Sequence, residues 1–379
     1  MGEVEVEFRS DLGDNWKVQG TYHMHTNSTS EELQSLICHL LGKEAKLMFL
    51  LNGEVITQSL QEHMDKQQLS LENAITIEFA KELPPPEPQS VFETPDWVSR
   101  LKITEQGCLV GDFSGNLILY DQDQEKLKSK VHEFALKGLD FNLETKHLMT
   151  SSKTGELKVF DADFTQVAYG KVPNSEYLCS SINGEYWVVG GSQGEVHLCR
   201  LGKQDYVPTN GTKKQKITGL GINTQQMDLK HTDTVTGLAW PTLDTLYSSS
   251  QDRTITSYDF ETQRIGQSLL APRSVQAIAY SSNLLVSGHE NGHLQVYDTR
   301  NWQKTLSWNG ERWIRSLVMK QGLLVAGNEE GKVQIFDTRK PNTYLHEVHS
   351  HSNKVLAVDW EGSLIVSGGA DAVIKFYSN

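Results

Sequence analysis

Seven times between Gly111 and Ser378 the chain repeats one eleven-residue phrase: GDFSGNLILYD (111–121), SSKTGELKVFD (151–161), GGSQGEVHLCR (190–200), SSQDRTITSYD (249–259), GHENGHLQVYD (288–298), GNEEGKVQIFD (327–337) and GGADAVIKFYS (368–378). Successive phrases end 40, 39, 59, 39, 39 and 41 residues apart. Within each, two small residues end one strand, a polar or Gly pair turns the chain, and an alternating run such as Leu294, Val296 and Tyr297 starts the next strand with one face buried. A four-stranded sheet built on such a hairpin cannot cover both of its faces alone, so neighbouring sheets have to stack radially.

The period is that of a WD-type propeller blade, with roughly 20 extra residues before the fourth phrase. Seven copies predict a seven-bladed WD40 β-propeller. Two blades carry fuller signatures. His231, Ser248, Asp252 and Tyr258 in the fourth, and His351, Ser367, Asp371 and Tyr377 in the last, stand where such propellers place a hydrogen-bonded tetrad. A His beside an Asp can also serve as general base and orienter, but buried polar groups must be paired, and both sets are read as structural. The last phrase supplies a third strand with none following it, and an unpaired edge would expose a row of backbone donors and acceptors. The fourth strand of that blade is therefore expected from about Gln89 to Phe92, ahead of the first blade.

Charge separates the front of the chain from the rest. Residues 1–88 hold 15 Asp and Glu against 6 Lys and Arg, most of the net charge of −13. So acidic a first quarter disfavours direct contact with a phosphate backbone and favours a basic or cation-bearing protein partner. Cys38, Cys108, Cys179 and Cys199 lack the spacing of a zinc site and read as buried small hydrophobes in a reducing compartment. No secretory leader is legible at the start, and no apolar stretch approaches the ~20 residues of a membrane span.

The first ninety residues have a different rhythm. EVEVEFR alternates as a strand and a second extended stretch surrounds Trp16 to Tyr22. Thr29 and Glu32 form a capping box, and Leu33, Leu36, Ile37, Leu40 and Leu41 make one apolar helical face closed by Gly42. KLMFLLNG, GEVIT and AITIEFA then read as three strands. This is the order of a ubiquitin-like fold, so the chain is expected to be mainly β: a small α+β ubiquitin-like domain over 1–83, a Pro-rich linker over 84–90 and a propeller over 91–379 with an insertion at about 202–229. Because AITIEFA runs into PPPEP and onward, the head has no free Gly-Gly end with which to be conjugated.

A ubiquitin-like head, a Pro-rich link and a propeller opened by Asp96-Trp97-Val98-Ser99 resemble the WD repeat-containing protein 12 family of ribosome-assembly factors. Phe49-Leu50-Leu51-Asn52-Gly53-Glu54 and Leu69-Ser70-Leu71-Glu72 carry the same resemblance. It implies a non-catalytic factor of the nucleolus and nucleoplasm, working on precursors of the large ribosomal subunit. It further implies that the propeller joins a Bop-type WD protein and pescadillo, and that the head docks on the metal site of the AAA-type ATPase midasin. The Glu of the family's Leu-Ser-x-Glu loop falls on Glu72, whose carboxylate would complete the octahedral shell of the partner's Mg²⁺. No cofactor of the chain's own is implied. An Arg frequent in the family's next hairpin is replaced here by Val55-Ile56-Thr57.

Two other surfaces stand out. The insertion, read as a mobile loop, carries Lys203, Lys213, Lys214 and Lys216; its plain reading is a solvated excursion and its sharper one a contact with pre-ribosomal RNA. Arg312, Trp313 and Arg315 combine residue types enriched at interface hot spots and are taken as a contact for the Bop-type partner. The rival function is a WD-repeat adaptor of the ubiquitin system. An enzyme is disfavoured because no nucleophile elbow, phosphate loop or metal-ligand spacing appears, and neither a small-molecule substrate nor a membrane is expected.

Overall fold

A computed structural model describes residues 2–10, 16–52, 54–56, 59–67, 69, 74–81, 86–203, 220–229, 231–320, 322–338 and 344–378. The architecture is mainly β. It divides into two compact units, Met1–Pro85 with Asp337–Thr343, and Pro86–Phe336 with Tyr344–Asn379. No described helix is long and apolar enough to cross a membrane.

The first unit contains β1 (Glu3–Arg9), β2 (Thr21–His25), α1 (Ser30–Leu41), β3 (Leu47–Leu51), β4 (Glu54–Val55), α2 (Leu60–Gln67) and β5 (Ile75–Lys81). Its sheet order is β2-β1-β5-β3-β4, with β1 and β5 parallel, the arrangement of a ubiquitin-like domain. Alternation in β1 buries Val4, Val6 and Phe8 against Leu33 and Ile37 of α1. Thr29 N–H donates to Glu32 Oε2 at 3.2 Å, and Gly42, at φ 61°, ends the helix in the left-handed conformation.

Three details differ from the sequence reading. The second strand starts at Thr21; Trp16 precedes it, half-buried against the core under the Lys43 ammonium at 4.4 Å. Leu40 is exposed, because the stripe that meets the sheet centres on Leu33 and Ile37. The helix α2 was not expected, and only the i, i+4 pair Leu60 and Met64 signals it: both are buried in a segment otherwise polar.

The second unit is the propeller. Its blades occupy 98–130, 136–171, 177–227, 235–270, 275–308, 314–349 and 355–378, each with four strands once the last is completed by β6 (Glu87–Glu93). β6 pairs antiparallel with Val373–Ser378, matching Phe92 to Ile374 and Ser90 to Phe376. Phe92 packs on Tyr120 and Phe376, with ring centroids 5.1 and 5.7 Å away, so the strand also cements the seam between the last blade and the first. Of the residues read as a linker, Glu87 through Ser90 belong to this strand.

Each repeated phrase covers the end of a blade's second strand, a turn and the third strand. Its small residues have a packing reason. A Cβ on Gly288 would lie 2.7 Å from Ile314 of the next blade, and one on Gly368 2.3 Å from Val98, so in the five phrases that begin with glycine the first buried side chain of the following blade uses that glycine as its socket.

The described part of the insertion before the fourth blade is mostly strand. Val196–Lys203 and Leu220–Met227 form one long hairpin, the outer half of the third blade, and Ala168 and Tyr169 of the second blade pair in parallel with Leu220 and Gly221. Blades two and three thereby share one eight-stranded sheet. The mobile loop read over 202–229 is thus replaced at 202–203 and 220–227 by paired backbone. Lys203 ends a strand, while Lys213, Lys214 and Lys216 lie outside the described residues.

Candidate partner-binding site

Glu72 lies outside the described residues. The residues that flank its segment are anchored: Leu69 packs on the core of the head and its N–H donates to Met64 O at 3.0 Å, and Ile75 is buried at the start of β5. Gln67 Nε2 donates to Leu51 O at 3.1 Å, tying the end of α2 to β3.

In the propeller, the two histidine sets form networks. His351 Nδ1 meets Asp371 Oδ1 at 2.9 Å and its Nε2 meets Ser367 Oγ at 2.8 Å. Ser350 joins Ser367 at 2.9 Å and also bonds the Tyr377 hydroxyl. In the fourth blade His231 bonds Asp252 at 3.2 Å and Ser248 at 2.8 Å. Tyr258 departs from the pattern: its ring rests on Phe260, and Thr254 takes a place on His231 Nδ1 at 2.9 Å. Asp252 and Asp371 also accept the N–H of the residue after their His, at 2.9 and 3.0 Å, which ties the entering loop to the hairpin. Burial lowers the pKa of both imidazoles despite their carboxylate neighbours. A neutral imidazole, buried and fully bonded, is a strut.

Two further histidines were missed in the sequence. His132 meets Thr150 at 2.8 Å and Glu156 at 3.4 Å, and burial brings its pKa down to about 4. Glu156, two residues beyond the usual Asp position, hides this variant. His289 bonds Ser287 at 2.9 Å from within the phrase itself.

Arg312, Trp313 and Arg315 separate into two roles. Arg312 is exposed and paired with Glu330 at 3.0 Å. Arg315 lays its guanidinium 4.5 Å from the centre of the Trp313 ring and bonds Glu329, which also receives Lys354 at 3.0 Å. Trp308, by contrast, is core.

Arg315 belongs to a larger construction. The innermost strand of every blade carries a β-bulge near its start, where a residue drops out of register: Ser99, Lys137, Leu178, Thr236, Gln276, Arg315 and Leu356; the fourth blade has a second irregularity farther along, between Ala239 and Thr242. A bulge re-aims the side chain it releases. All seven line one recess of about 220 Å³ at the mouth of the central channel, together with Arg100, Phe113, Thr234 and Gln251. The residue after each bulge is Gly, Ala, Ser or Cys except in the first blade, because it is squeezed against its neighbours; a Cβ on Gly138 would meet Ser180 Oγ at 2.5 Å. Arg100 escapes by reaching across the channel, donating to Ser99 O at 3.0 Å and to Leu178 O.

The mouth is cationic. The Lys137 ammonium sits 3.5 Å from the centre of the Phe113 ring, and burial, then Arg100, Lys153 and Arg315, pull its pKa down to about 7. Deeper in the channel the charges are matched: Asp359 accepts the Ile103 N–H at 2.7 Å beside Lys102 at 3.8 Å, and Ser180 bonds Asp140. The three thiols of the propeller are buried, with pKa values pushed up by burial, that of Cys179 to about 12. Among the described residues no cluster of His, Cys, Asp and Glu could hold a metal ion.

Comparison with known proteins bears on both units. The family described as NLE (NUC135) domain matches residues 4–64, from β1 to α2, and WD domain, G-beta repeat matches 342–378, which includes three of the four strands of the last blade. The ribosome biogenesis protein WDR12 homolog of Culex quinquefasciatus is 26% identical, covering 94% of this chain and 91% of that protein. The homologs of Ixodes scapularis (25%; 93% and 93%) and Anopheles gambiae (24%; 100% and 95%) align as completely. The resemblance to these proteins runs nearly end to end. Among solved structures, the computationally designed Ika8 protein is similar in fold alone, with a TM-score of 0.57 and 20% identity over 74% of this chain and 83% of that one.

Proposed function

We propose that the chain is a non-catalytic assembly factor of the large ribosomal subunit. The observation that carries this reading is the alignment with ribosome biogenesis proteins across 93–100% of the chain in the Ixodes and Anopheles relatives, taking in head and propeller together. A propeller whose buried polar groups are spent on bracing its loops is a scaffold. The proposed partners are a Bop-type WD protein, meeting the face that bears Arg312, Trp313 and Arg315, and pescadillo.

The acidic head supplies the handle. Glu72 is proposed to give one carboxylate oxygen to a Mg²⁺ held by midasin, whose work would release the factor from the pre-ribosome in nucleolus and nucleoplasm. The chain leaving the head enters the propeller at Glu87, the first residue of the strand that closes the ring, so a pull on the head is delivered to that strand.

The test is co-sedimentation of the tagged chain with large-subunit precursors, together with a midasin pull-down. Glu72→Asp shortens the reach by one methylene; it should abolish the pull-down in Mg²⁺, as a chelator should for the parent chain, and trap the variant on precursors while its melting curve is unchanged. A chain found only in the free pool, or an E72D variant that still binds midasin, would refute this assignment.

A further inference from the structure

We propose that the channel mouth receives an acidic segment of a protein partner, its carboxylates meeting Lys137 and Arg315 and its apolar side chains covered by Trp97 and Trp313. This inference does not rest on the identity of any ribosome-assembly partner.

Charge is the first argument. None of the residues that line the recess is an Asp or a Glu, while Arg100, Lys137 and Arg315 all contribute to it. Among the described residues, the carboxylate bonded to these cations is Glu329, which is shared between Arg315 and Lys354, so cations remain in excess. Arg100 spends its donors on two backbone carbonyls, with the Asp140 carboxylate offsetting part of its charge, whereas Lys137 faces a ring and, among the described residues, has only Arg100, Lys153 and Arg315 as charged neighbours. Crowding like charges in a partly dewatered recess is unfavourable, and an incoming carboxylate would turn that cost into attraction.

Placement is the second argument. Bulges in seven separate strands converge on a single opening, and Lys137 and Arg315 occupy the same register position in their blades as Ser99, Thr236 and Gln276. Hydroxyl and amide groups between the cations can bond the backbone of a peptide, which a peptide needs on losing its water. Two tryptophans stand just before the bulged segments. Trp97 is 48% exposed and rests edge-on against Phe113, 5.6 Å between centroids; Trp313 is 37% exposed against Arg315. Aromatic and arginine side chains beside a pocket are the usual anchors of protein interfaces.

Scale decides between peptide and nucleic acid. A recess of about 220 Å³ holds one or two side chains. Five of the seven bulge residues are uncharged, whereas a phosphate backbone is gripped by an extended row of Lys and Arg.

The experiment is fluorescence anisotropy with the purified full chain and three labelled probes: a short peptide of Asp, Glu, Leu and Tyr, its Asn and Gln counterpart, and oligouridylate. The acidic peptide should bind, with affinity about tenfold weaker for Lys137→Gln and weaker still for the K137Q/R315Q double variant. Lys137→Arg should keep most of the binding, and Trp97→Ala should weaken it without changing the melting curve. The proposal is overturned by any of four results: no binding of the acidic peptide, equal binding of its neutral counterpart, equal binding by folded K137Q, or oligouridylate binding more tightly and displacing the peptide. Capture of a Bop-type protein from extract is a separate readout, so either idea can fail alone.

Discussion

The histidine networks and the channel mouth use similar polar residues to opposite ends. In the last blade, His351, Asp371, Ser367 and Ser350 bond one another at 2.8–2.9 Å, and the imidazole is wholly buried. At the mouth, Lys137 has a ring for a neighbour and Arg100 two carbonyls. A network whose donors and acceptors balance within one blade holds that blade together; a set drawn from seven blades with donors in surplus is finished by something outside it.

Removing β6 should break both at once, and this is the largest effect expected. A chain lacking residues 1–95 leaves the edge strand Val373–Ser378 unpaired and strips Phe92 from its seat between Tyr120 and Phe376. It should aggregate and lose the cooperative melt, whereas a chain lacking only 1–84 should melt cooperatively and elute as a compact species. If the shorter truncation also unfolds, β6 does not close the ring.

Asp371→Ala comes next. It leaves the buried His351 short of its partner and should cost about 1–3 kcal/mol in a denaturant titration. Acidic-peptide binding by the folded fraction should not change; a parallel loss would show that network and mouth are one unit.

Acid distinguishes them further. An unfolded chain protonates its histidines near 6.5, whereas folded His132 takes up a proton only near 4, with His231, His289 and His351 shifted the same way by burial. Below 6.5 the unfolded state binds more protons, so the stability these groups supply is present above that pH and is lost as pH falls toward 4. Melts at about pH 7 and about pH 5 should show the drop, and His132→Gln should make it smaller. A flat profile in the parent chain would mean the histidines are not held neutral.

The smallest effect tests the turns. Ala372 sits at φ 57° where five other phrases have glycine at φ 77–82°, so Ala372→Gly should stabilise by about 0.5–1 kcal/mol, read as a rise in melting midpoint.

Much of this architecture was legible because its causes are local. The repeat period, the Gly sockets of the phrase and the Thr29–Glu32 cap each follow from a few neighbouring residues, and so did the strand expected near Gln89 to Phe92, which an edge must find somewhere. The helix α2 escaped because Leu60 and Met64 alone carry its apolar face. The outermost strand of the third blade was read as part of a loop since TQQ and its surroundings carry no apolar alternation; a two-residue parallel bridge to Ala168 and Tyr169, made possible by a neighbouring sheet, holds that edge.

The linear order of residues determined the two-unit plan, the number of blades and the pairing of His351 with Asp371, since periodicity and spacing are properties of a chain read by itself. Which side chains meet at the channel mouth was decided only by the closed ring. Ser99 and Leu356 lie at opposite ends of the propeller's sequence, and a bulge shows in one dimension as no more than a buried apolar residue, any residue and, in all blades but the first, a small one. Their convergence follows from radial packing, which sums small rotations of seven sheets into a common axis that no local pattern contains.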